Sequence, residues 1–326
     1  MRFSRIGIFV LLSLTVLIGT NCGWYSRVMA RKNLVDGSKA YKDRKFPEAE
    51  ALFRAAVARD PNGDYVEGKT AQLFLARTLH SEYIGDRGHK EKAEAAIAEY
   101  QKALALNPND QSSYKAIASL YENLQMNDQW LDWVTKRSQN TTIQPEQRAE
   151  ALTSLAAKKN TCANDITDTE QTKKTVTKDG KQAFQFVKPA KPEDYTTLTK
   201  CVQDGTALID QAVALETPQV KSAPTLDIKG LKDEDLQKDL DFLKVFESAR
   251  SYKASLLIQA MRLAEMDGKT ADRDRLKGEA DAARKSFLEL SDVVKAIQKE
   301  IDDRTAAKEA KEKGDKANTN ANAAAK

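Results

Sequence analysis

The sequence predicts an all-α protein built as a solenoid of helical hairpins, and three observations support this prediction. Ala, Lys, Glu, Gln and Leu dominate the 326 residues, and these residue types favour helices. Aromatic residues make up only 7%, and the chain has 14 glycines and 8 prolines. The stretch KFPEAEALFRAAVARDPN, residues 45–62, recurs with the same spacing of small and large apolar residues, which is typical of a repeat protein.

The charges are dense and mixed. The chain carries 52 basic and 48 acidic residues, for a net charge of +4, and 41% of its residues are apolar. This length and apolar content suffice for one large domain or two ordinary ones. Charges of both signs spread along the chain indicate a solvated helical surface and argue against nucleic-acid binding.

The N-terminus, MRFSRIGIFVLLSLTVLIGTNCGWYSR, predicts export. Arg2 and Arg5 precede roughly 20 uncharged residues, which are enough to span a bilayer as a helix. Residues 1–26 therefore form a retained anchor, a cleaved signal peptide ending near Val28-Met29-Ala30, or a lipoprotein signal that modifies Cys22. We expect a membrane-anchored protein whose remaining chain faces the periplasm or another extracytoplasmic space. The alternatives are a secreted protein and a lipoprotein.

The recurring stretch has the pattern of the second helix of a hairpin. A small residue lets a neighbouring helix approach, a large apolar residue one turn later fills the space, and a proline ends the helix. The three copies are Ala49, Phe53, Ala56 and Pro61; Ala96, Tyr100, Ala103 and Pro108; and Gly205, Ile209, Ala212 and, one residue late, Pro218.

First helices stand upstream of these copies, and one of them reads Tyr114-x2-Ile117-Ala118-x2-Tyr121. Together the two patterns resemble the tetratricopeptide repeat (TPR) family, whose 34-residue unit is a helix–turn–helix. The resemblance covers residues 30–218 as about four repeats. It departs from the family between Pro61 and Pro108, where extra residues are expected in the connection before the second repeat and in its inner turn. Trp130 also replaces the small residue expected in the third repeat.

An insertion splits the fourth repeat near residues 166–190. Asp179-Gly180 separates two β-prone runs, which predicts a β-hairpin. The hairpin either contacts a partner or is a tolerated surface insertion.

On the repeat alignment Cys162 and Cys201 both lie beside the turn that carries this insertion. In an exported protein they are suspected disulfide partners, and closing this loop would stabilise the fold by roughly 4 kcal/mol. The alternative is two packed free thiols.

Beyond a linker at residues 219–232, residues 233–305 predict a long helical hairpin. Asp233 begins its first helix, which ends near Met266, and Gly268 fits the C-terminal cap. The second helix carries a heptad seam from Leu276 to Ile301. This hairpin either caps the solenoid or mediates self-association. Residues 306–326 lack apolar periodicity and predict a disordered tail beyond a fraying helix end.

No catalytic constellation is present in the sequence. It contains none of the phosphate-loop, dinucleotide, nucleophile-elbow or zinc-protease motifs. Its two histidines, His80 and His89, lack the neighbouring ligands of a metal site. We therefore expect no enzymatic activity, no catalytic residues, no metal and no cofactor.

The TPR resemblance implies that partners bind the concave groove lined by the first helices. The implied groove residues are Ser38, Tyr41 and Lys42; Arg77 and His80; Ser119, Glu122 and Asn123; and Asn160. Leu34, Leu73, Ser81, Lys115 and Thr153 occupy further groove positions. The expected function is a membrane-tethered, extracytoplasmic scaffold that binds a peptide or helix of an envelope-associated protein. The alternative is a homo-oligomer assembled through the C-terminal heptads.

Overall fold

The computed structural model describes the backbone of residues 3–178 and 180–324, and the side chains of residues 23–177 and 180–313. Within these ranges the chain forms eleven α-helices and a two-stranded antiparallel sheet. The chain divides into two compact units, Met1–Trp130 and Leu131–Lys326. The predicted all-α, TPR-like fold with a β-hairpin insertion is confirmed.

Unit 1 contains five helices and the start of a sixth. They are α1 (Phe3–Lys42), α2 (Phe46–Arg59), α3 (Val66–Gly85), α4 (Lys90–Leu106), α5 (Gln111–Asn123) and α6 (Asn127–Gln139), in which the division between the units falls. Each of the first four helices packs against the next one in the chain. The short turns between them produce the successive helical hairpins that the repeat pattern predicts.

Local chemistry sets the ends of these helices. Pro47 stands in the first turn of α2, where its fixed φ suits a helix start and its missing N–H costs nothing. Asp110 caps α5, since its carboxylate accepts a hydrogen bond from the Ser112 N–H at 3.2 Å. Gly63 has a φ of +64° in the turn after α2, a conformation that favours glycine.

The repeated small and large residues form the core of unit 1. Ala49, Phe53 and Ala56 are fully buried, and the second copy of the pattern is buried as well. A Cβ atom on Gly37 of α1 would lie 2.8 Å from the Phe53 ring. The glycine therefore allows α1 to approach α2 closely, as the repeat pattern requires.

The extra residues of the second repeat lie partly in its helices. Residues 60–65 connect α2 to α3, as predicted, but the inner turn is confined to residues 86–89. Helices α3 and α4 have 20 and 17 residues, against 14 in α2. The expectation of a long inner turn was therefore wrong for residues 81–85, which continue α3.

Unit 2 combines an interrupted helical hairpin with a long one. Its elements after α6 are α7 (Pro145–Thr167), β1 (Lys173–Lys178), β2 (Lys181–Phe186), α8 (Pro192–Ala214), α9 (Pro218–Ser222), α10 (Asp233–Met266) and α11 (Thr270–Ala324). Two 3₁₀ turns, Ala223–Thr225 and Ile228–Gly230, lie in the predicted linker. Helix α10 packs against α7, α8 and α11, so it lies at the centre of the unit.

The hairpin and the cysteines lie as the insertion pattern predicts. Strands β1 and β2 pair antiparallel from Lys173 opposite Phe186 to Lys178 opposite Lys181, and Gly180 has a φ of +74° in the turn. Cys162 and Cys201 form a disulfide with a Cα–Cα distance of 6.2 Å. The bond joins α7 to α8 across the insertion.

The C-terminal heptad seam packs inside the chain. Ala280, Leu290, Val294 and Ile297 of α11 are buried and lie in or beside a core that includes Leu240 and other residues of α10. This arrangement is that of the predicted capping hairpin, and self-association remains an untested hypothesis. Helix α11 continues through residues 306–313 with exposed side chains, where the sequence predicted a disordered tail.

The predicted anchor or signal segment, residues 1–26, lies largely outside the residues whose side chains the structure describes. Only residues 23–26 of this segment are fully described, and they belong to α1. Among the described residues, no helix has a stretch that is both long and apolar enough to cross a membrane.

Candidate functional site

The groove residues implied by the resemblance fall in both units. Eight of them lie in unit 1, on or beside the first helices α1, α3 and α5, whereas Asn160 lies on α7 in unit 2. We call the surface formed in unit 1 the first-helix face. Its members are Tyr41, Lys42, Phe74, Arg77, His80, Ser81, Ser112, Ser119, Glu122 and Asn123.

Tyr41 joins α1 to α3 on this face. Its hydroxyl lies 3.0 Å from the Ser81 hydroxyl, and its ring meets the Phe74 ring edge-on with centroids 6.0 Å apart. A second edge contact, with the Phe46 ring, has its centroids 5.6 Å apart. Tyr41 is half-buried, so one side of its ring is packed while the rest faces solvent. The structure thus brings Tyr41 and Ser81 together, as the resemblance implies.

Arg77 joins α3 to the start of α5. Its guanidinium carbon lies 5.3 Å from the centre of the Phe74 ring, and its Nη2 donates a hydrogen bond to the Ser112 hydroxyl at 3.1 Å. The Ser112 hydroxyl in turn donates to the Asp110 carboxylate at 2.8 Å. Burial alone would raise the pKa of Asp110, but hydrogen bonds from Ser113 and Ser112 outweigh it, and the pKa is lowered. The ionised Asp110 carboxylate therefore holds the Ser112 hydroxyl, which in turn accepts the hydrogen bond from Arg77.

His80 lies one turn after Arg77 and is tied to α4. Its Nδ1 is 3.4 Å from the Tyr100 hydroxyl, and the two rings meet edge-on at 6.0 Å. Burial, followed by the nearby charge of Arg87, lowers the pKa of His80. Because the ring is half-buried and favours its neutral form, it offers a hydrogen-bonding edge rather than a positive charge.

The exposed members of the first-helix face are Lys42, Ser112, Ser119, Glu122 and Asn123. The Asn123 amide donates to the Ser119 hydroxyl at 3.4 Å along α5. Ser38 is half-buried and donates to the Leu34 carbonyl at 2.7 Å, so its hydroxyl is engaged within α1. The face therefore combines packed aromatic rings with exposed groups of both charges.

Asn160 departs from the expectation of an open groove position. Its side chain is only 8% exposed, and Thr153, seven residues earlier on α7, is 5% exposed. Helix α10 packs against α7 in this unit, and Gln259 hydrogen-bonds to Asn164 and Thr167. The chain itself therefore covers this side of α7. The Asn160 Oδ1 and the Thr153 hydroxyl have no hydrogen-bond partner among the described residues.

Sequence reasoning missed three residues of this region. Phe74 contacts Tyr41, Phe53 and Arg77, and Ser112 and Tyr100 hold Arg77 and His80. Phe74 lies directly beside a predicted groove position, Leu73, so the repeat alignment came within one residue of it. Tyr100 was recognised only as a core residue of the second-helix pattern.

Unit 2 offers a cleft of about 610 Å³ between α8, α10 and α11. Val202, Leu263 and Leu276 are among its apolar lining residues. Its charged lining residues are Asp210, Asp267, Lys269, Asp272 and Arg275. These charges are neutralised locally, since Lys253 pairs with Asp210, Lys269 with Asp267 and Arg275 with Asp272. The cleft therefore presents little unpaired charge to a ligand.

The described residues contain no group of three or more histidine, cysteine or acidic side chains placed to hold a metal ion. His89, the second histidine, is exposed and contacts Glu91 at 2.6 Å and Asp86 at 3.5 Å. The hydrogen bond that His89 donates to the Glu91 carboxylate, and the charge of that carboxylate, raise the pKa of His89. This small surface cluster lies in the turn before α4 and away from the contacts of the first-helix face.

Comparison with known proteins finds a similar solved structure but no match by sequence. No family model and no curated protein matches the sequence. One solved structure, described as "Functional Characterization of Pseudomonas Aeruginosa pilF", is similar over 82% of this chain and 97% of its own, with 14% identity and a TM-score of 0.30.

Proposed function

We propose that this protein is a non-enzymatic scaffold that binds a partner protein through the first-helix face of unit 1. We further propose that it is tethered to a membrane by its N-terminal segment, with the repeats on the extracytoplasmic side. The ligand that suits the face is an extended peptide or a helix of an envelope-associated protein.

The observation that carries this proposal is the mutual support of Tyr41, Phe74 and Arg77. Each ring or guanidinium is half-buried and held by its neighbours, so little side-chain entropy remains to be lost on binding. Aromatic and arginine side chains of this kind dominate the energetics of protein interfaces. The exposed charges of Lys42 and Glu122 at the same face would contribute to partner selection.

The disulfide supports the extracytoplasmic part of the proposal. Bonds of this kind persist in oxidising compartments and are rare in the cytosol. Cys162 and Cys201 are joined in unit 2, at a sequence separation of 39 residues. The basic N-terminus followed by an uncharged apolar run is the sequence signal that directs such a chain out of the cytoplasm.

The test is affinity capture from gently solubilised membranes, read by mass spectrometry. The variant Tyr41→Ala/Arg77→Ala/Glu122→Ala removes the supported ring, the guanidinium and an exposed charge. We expect one or a few envelope proteins to be retained by the native chain and lost from this variant. Equal capture by both forms would refute binding through this face.

Two further variants separate surface loss from misfolding. Lys42→Glu reverses an exposed charge without touching the packed rings, so it should weaken capture while the melting temperature stays unchanged. Lys45→Ala/Glu48→Ala/Glu94→Ala removes exposed charges of the second helices and should leave capture intact. Extraction of the native protein with alkaline carbonate, together with the mass of its N-terminal peptide, tests the tether independently.

A further inference from the structure

The end of unit 1 nearest the N-terminus presents large apolar side chains to solvent. Helix α1 is continuous from Phe3 to Lys42, so the uncharged N-terminal segment and the first helix of the repeats share one helix without a linker. Around the end of that segment, Trp24 is 67% exposed, Tyr25 52% and Val28 43%. Exposed aromatic residues clustered in this way mark an interaction site.

The connection between α2 and α3 lies beside these residues. The Arg59 guanidinium is 5.9 Å from the centre of the Tyr25 ring, and Arg27 lies 5.3 Å from the Tyr65 ring and 3.3 Å from the Glu67 carboxylate. Val66, the first residue of α3 after this connection, is 73% exposed. Two separate parts of the chain therefore supply apolar side chains to one end of the unit.

Exposed basic residues surround this end. Arg31, Lys32 and Lys69 are exposed and have no ion pair among the residues that the structure describes. Arg59 lies over the Tyr25 ring, so its charge is also near the exposed aromatic residues. Apolar and aromatic side chains flanked by lysine and arginine are the composition found where proteins meet the headgroup layer of a bilayer.

We propose that Trp24, Tyr25, Val28 and Val66 insert into the headgroup layer of a phospholipid bilayer, with Arg31 and Lys69 on lipid phosphates. This inference rests on the proposed membrane tether. A helix rises 1.5 Å per residue, so the uncharged run from Ile6 to Trp24 spans roughly 27 Å, close to the thickness of the hydrocarbon core. Trp24 therefore lies at the boundary between that core and the headgroup layer.

A protein partner is the alternative occupant of this surface, but it would not explain as directly where Trp24, Tyr25 and Val28 lie. These three side chains stand around the end of the uncharged segment, on the same helix. Val35, also exposed at 59%, lies 11 residues further along α1 and so about 16 Å beyond Trp24. A bilayer contact should therefore end before Val35, and this limit gives the proposal its test.

The experiment uses tryptophan fluorescence of the full-length chain in vesicles of phosphatidylcholine and phosphatidylglycerol, with or without brominated phosphatidylcholine as quencher. The chain has three tryptophans, so Trp130→Phe/Trp133→Phe leaves Trp24 as the only emitter. In a background that also carries Trp24→Phe, the variants V66W, V35W and I84W each place one tryptophan at an exposed apolar position. Ile84 is a matched control because it is 50% exposed at the opposite end of α3 from Val66.

We expect Trp24 and the tryptophan of V66W to lose most of their emission in brominated vesicles, whereas V35W and I84W keep theirs. If vesicles float with the protein but V66W behaves like I84W, the tether stands and the proposed contact is overturned. If the protein does not float with the vesicles, both the tether and this contact are refuted. Floating vesicles with neither Trp24 nor V66W quenched would also overturn the contact and leave a protein partner as the remaining occupant of this end.

Discussion

Units 1 and 2 both contain helical hairpins of the repeat type, but they use their first helices differently. In unit 1, Tyr41 of α1 and Arg77 of α3 remain half-exposed and both contact the Phe74 ring, and the half-exposed His80 contacts Tyr100. In unit 2, Asn160 of α7 is buried in a unit where α10 packs on that helix. A repeat-type first helix therefore provides a binding surface only where the rest of the chain leaves it open.

The units also differ in what stabilises them. Unit 1 relies on buried alanines and aromatic rings such as Phe53 packed against a close-approaching glycine, Gly37. Unit 2 adds a covalent bond, Cys162–Cys201, and ion pairs that fasten the residues after its β-hairpin. Four predictions use this contrast, in order of decreasing effect.

Replacing Phe53 by alanine should have the largest effect. The side chain is fully buried, so the truncation should lower the free energy of unfolding of unit 1 by about 3–5 kcal/mol. Amide hydrogen exchange should accelerate in α1 to α4. Phe184→Ala is the matched control, because this phenylalanine is 60% exposed on β2 and its loss should change stability by less than about 0.5 kcal/mol.

Removing the disulfide by Cys162→Ser/Cys201→Ser should lower the free energy of unfolding of unit 2 by about 2–4 kcal/mol, since the bond restricts the unfolded chain. Denaturant unfolding followed by hydrogen exchange in α7 and α8 measures this loss. Chemical reduction of the native protein should reproduce it. Unchanged exchange in α7 and α8 after reduction would show that the bond adds nothing to the unit.

Asp267→Asn should weaken unit 2 by about 2 kcal/mol at neutral pH, the range for hydrogen bonds to a charged group. Hydrogen bonds from Lys188 and then Tyr195 hold the pKa of Asp267 far below its ordinary value. A carboxylate with a lowered pKa stabilises the folded state above its unfolded pKa of about 3.9, and this contribution is lost as pH falls toward the folded pKa.

Thermal melts of native protein and Asp267→Asn across acidic and neutral pH measure this effect. The two curves should differ near pH 7 and converge in strong acid. The control is Asp165→Asn, since Asp165 is exposed and no ion pair of it occurs in the described part of the chain. A constant difference between native protein and Asp267→Asn at all pH values would contradict the role of the charge.

His80 should produce the smallest effect, a loss of stability of unit 1 in mild acid. Burial lowers its pKa, so the unfolded chain binds the proton more readily than the folded one. Stability should therefore fall as pH drops through about 6.5, the unfolded value, and level off below the folded pKa. Melts of His80→Gln should lack this dependence.

His89→Gln serves as the opposite control for that measurement. The pKa of His89 is raised by Glu91, so any contribution of this exposed histidine is present in acid and lost as pH rises. The variant should keep the acid loss caused by His80. If both histidine variants retain the same acid loss, the dependence arises elsewhere in the chain.

The parts of the fold that local chemistry determines could be predicted from the sequence. Gly268 ends α10 after Met266 with a φ of +69°, and Gly180 makes the hairpin turn. The alternation of Ala49, Phe53 and Ala56 predicts their burial because helical spacing alone places them on one face.

The parts that depend on distant contacts could not be predicted. Asn160 has the sequence position of a groove residue, and its burial follows from the packing of α10 on α7, with Gln259 bonded to Asn164 across 95 residues. The importance of Phe74 likewise emerges only when α3 is placed against Tyr41 of α1. Repeat spacing identifies which side of a helix faces a groove, but not whether another element fills it.

The disulfide across the insertion has a consequence for proteolysis. Lys173, Lys174 and Lys181 stand on the β-hairpin between Cys162 and Cys201, and trypsin cleaves after such residues. A single cut there would produce two polypeptides that still migrate as one molecule on a non-reducing gel and separate only after reduction. The protein can thus be cut within its β-hairpin and still keep both halves of the interrupted helical hairpin together.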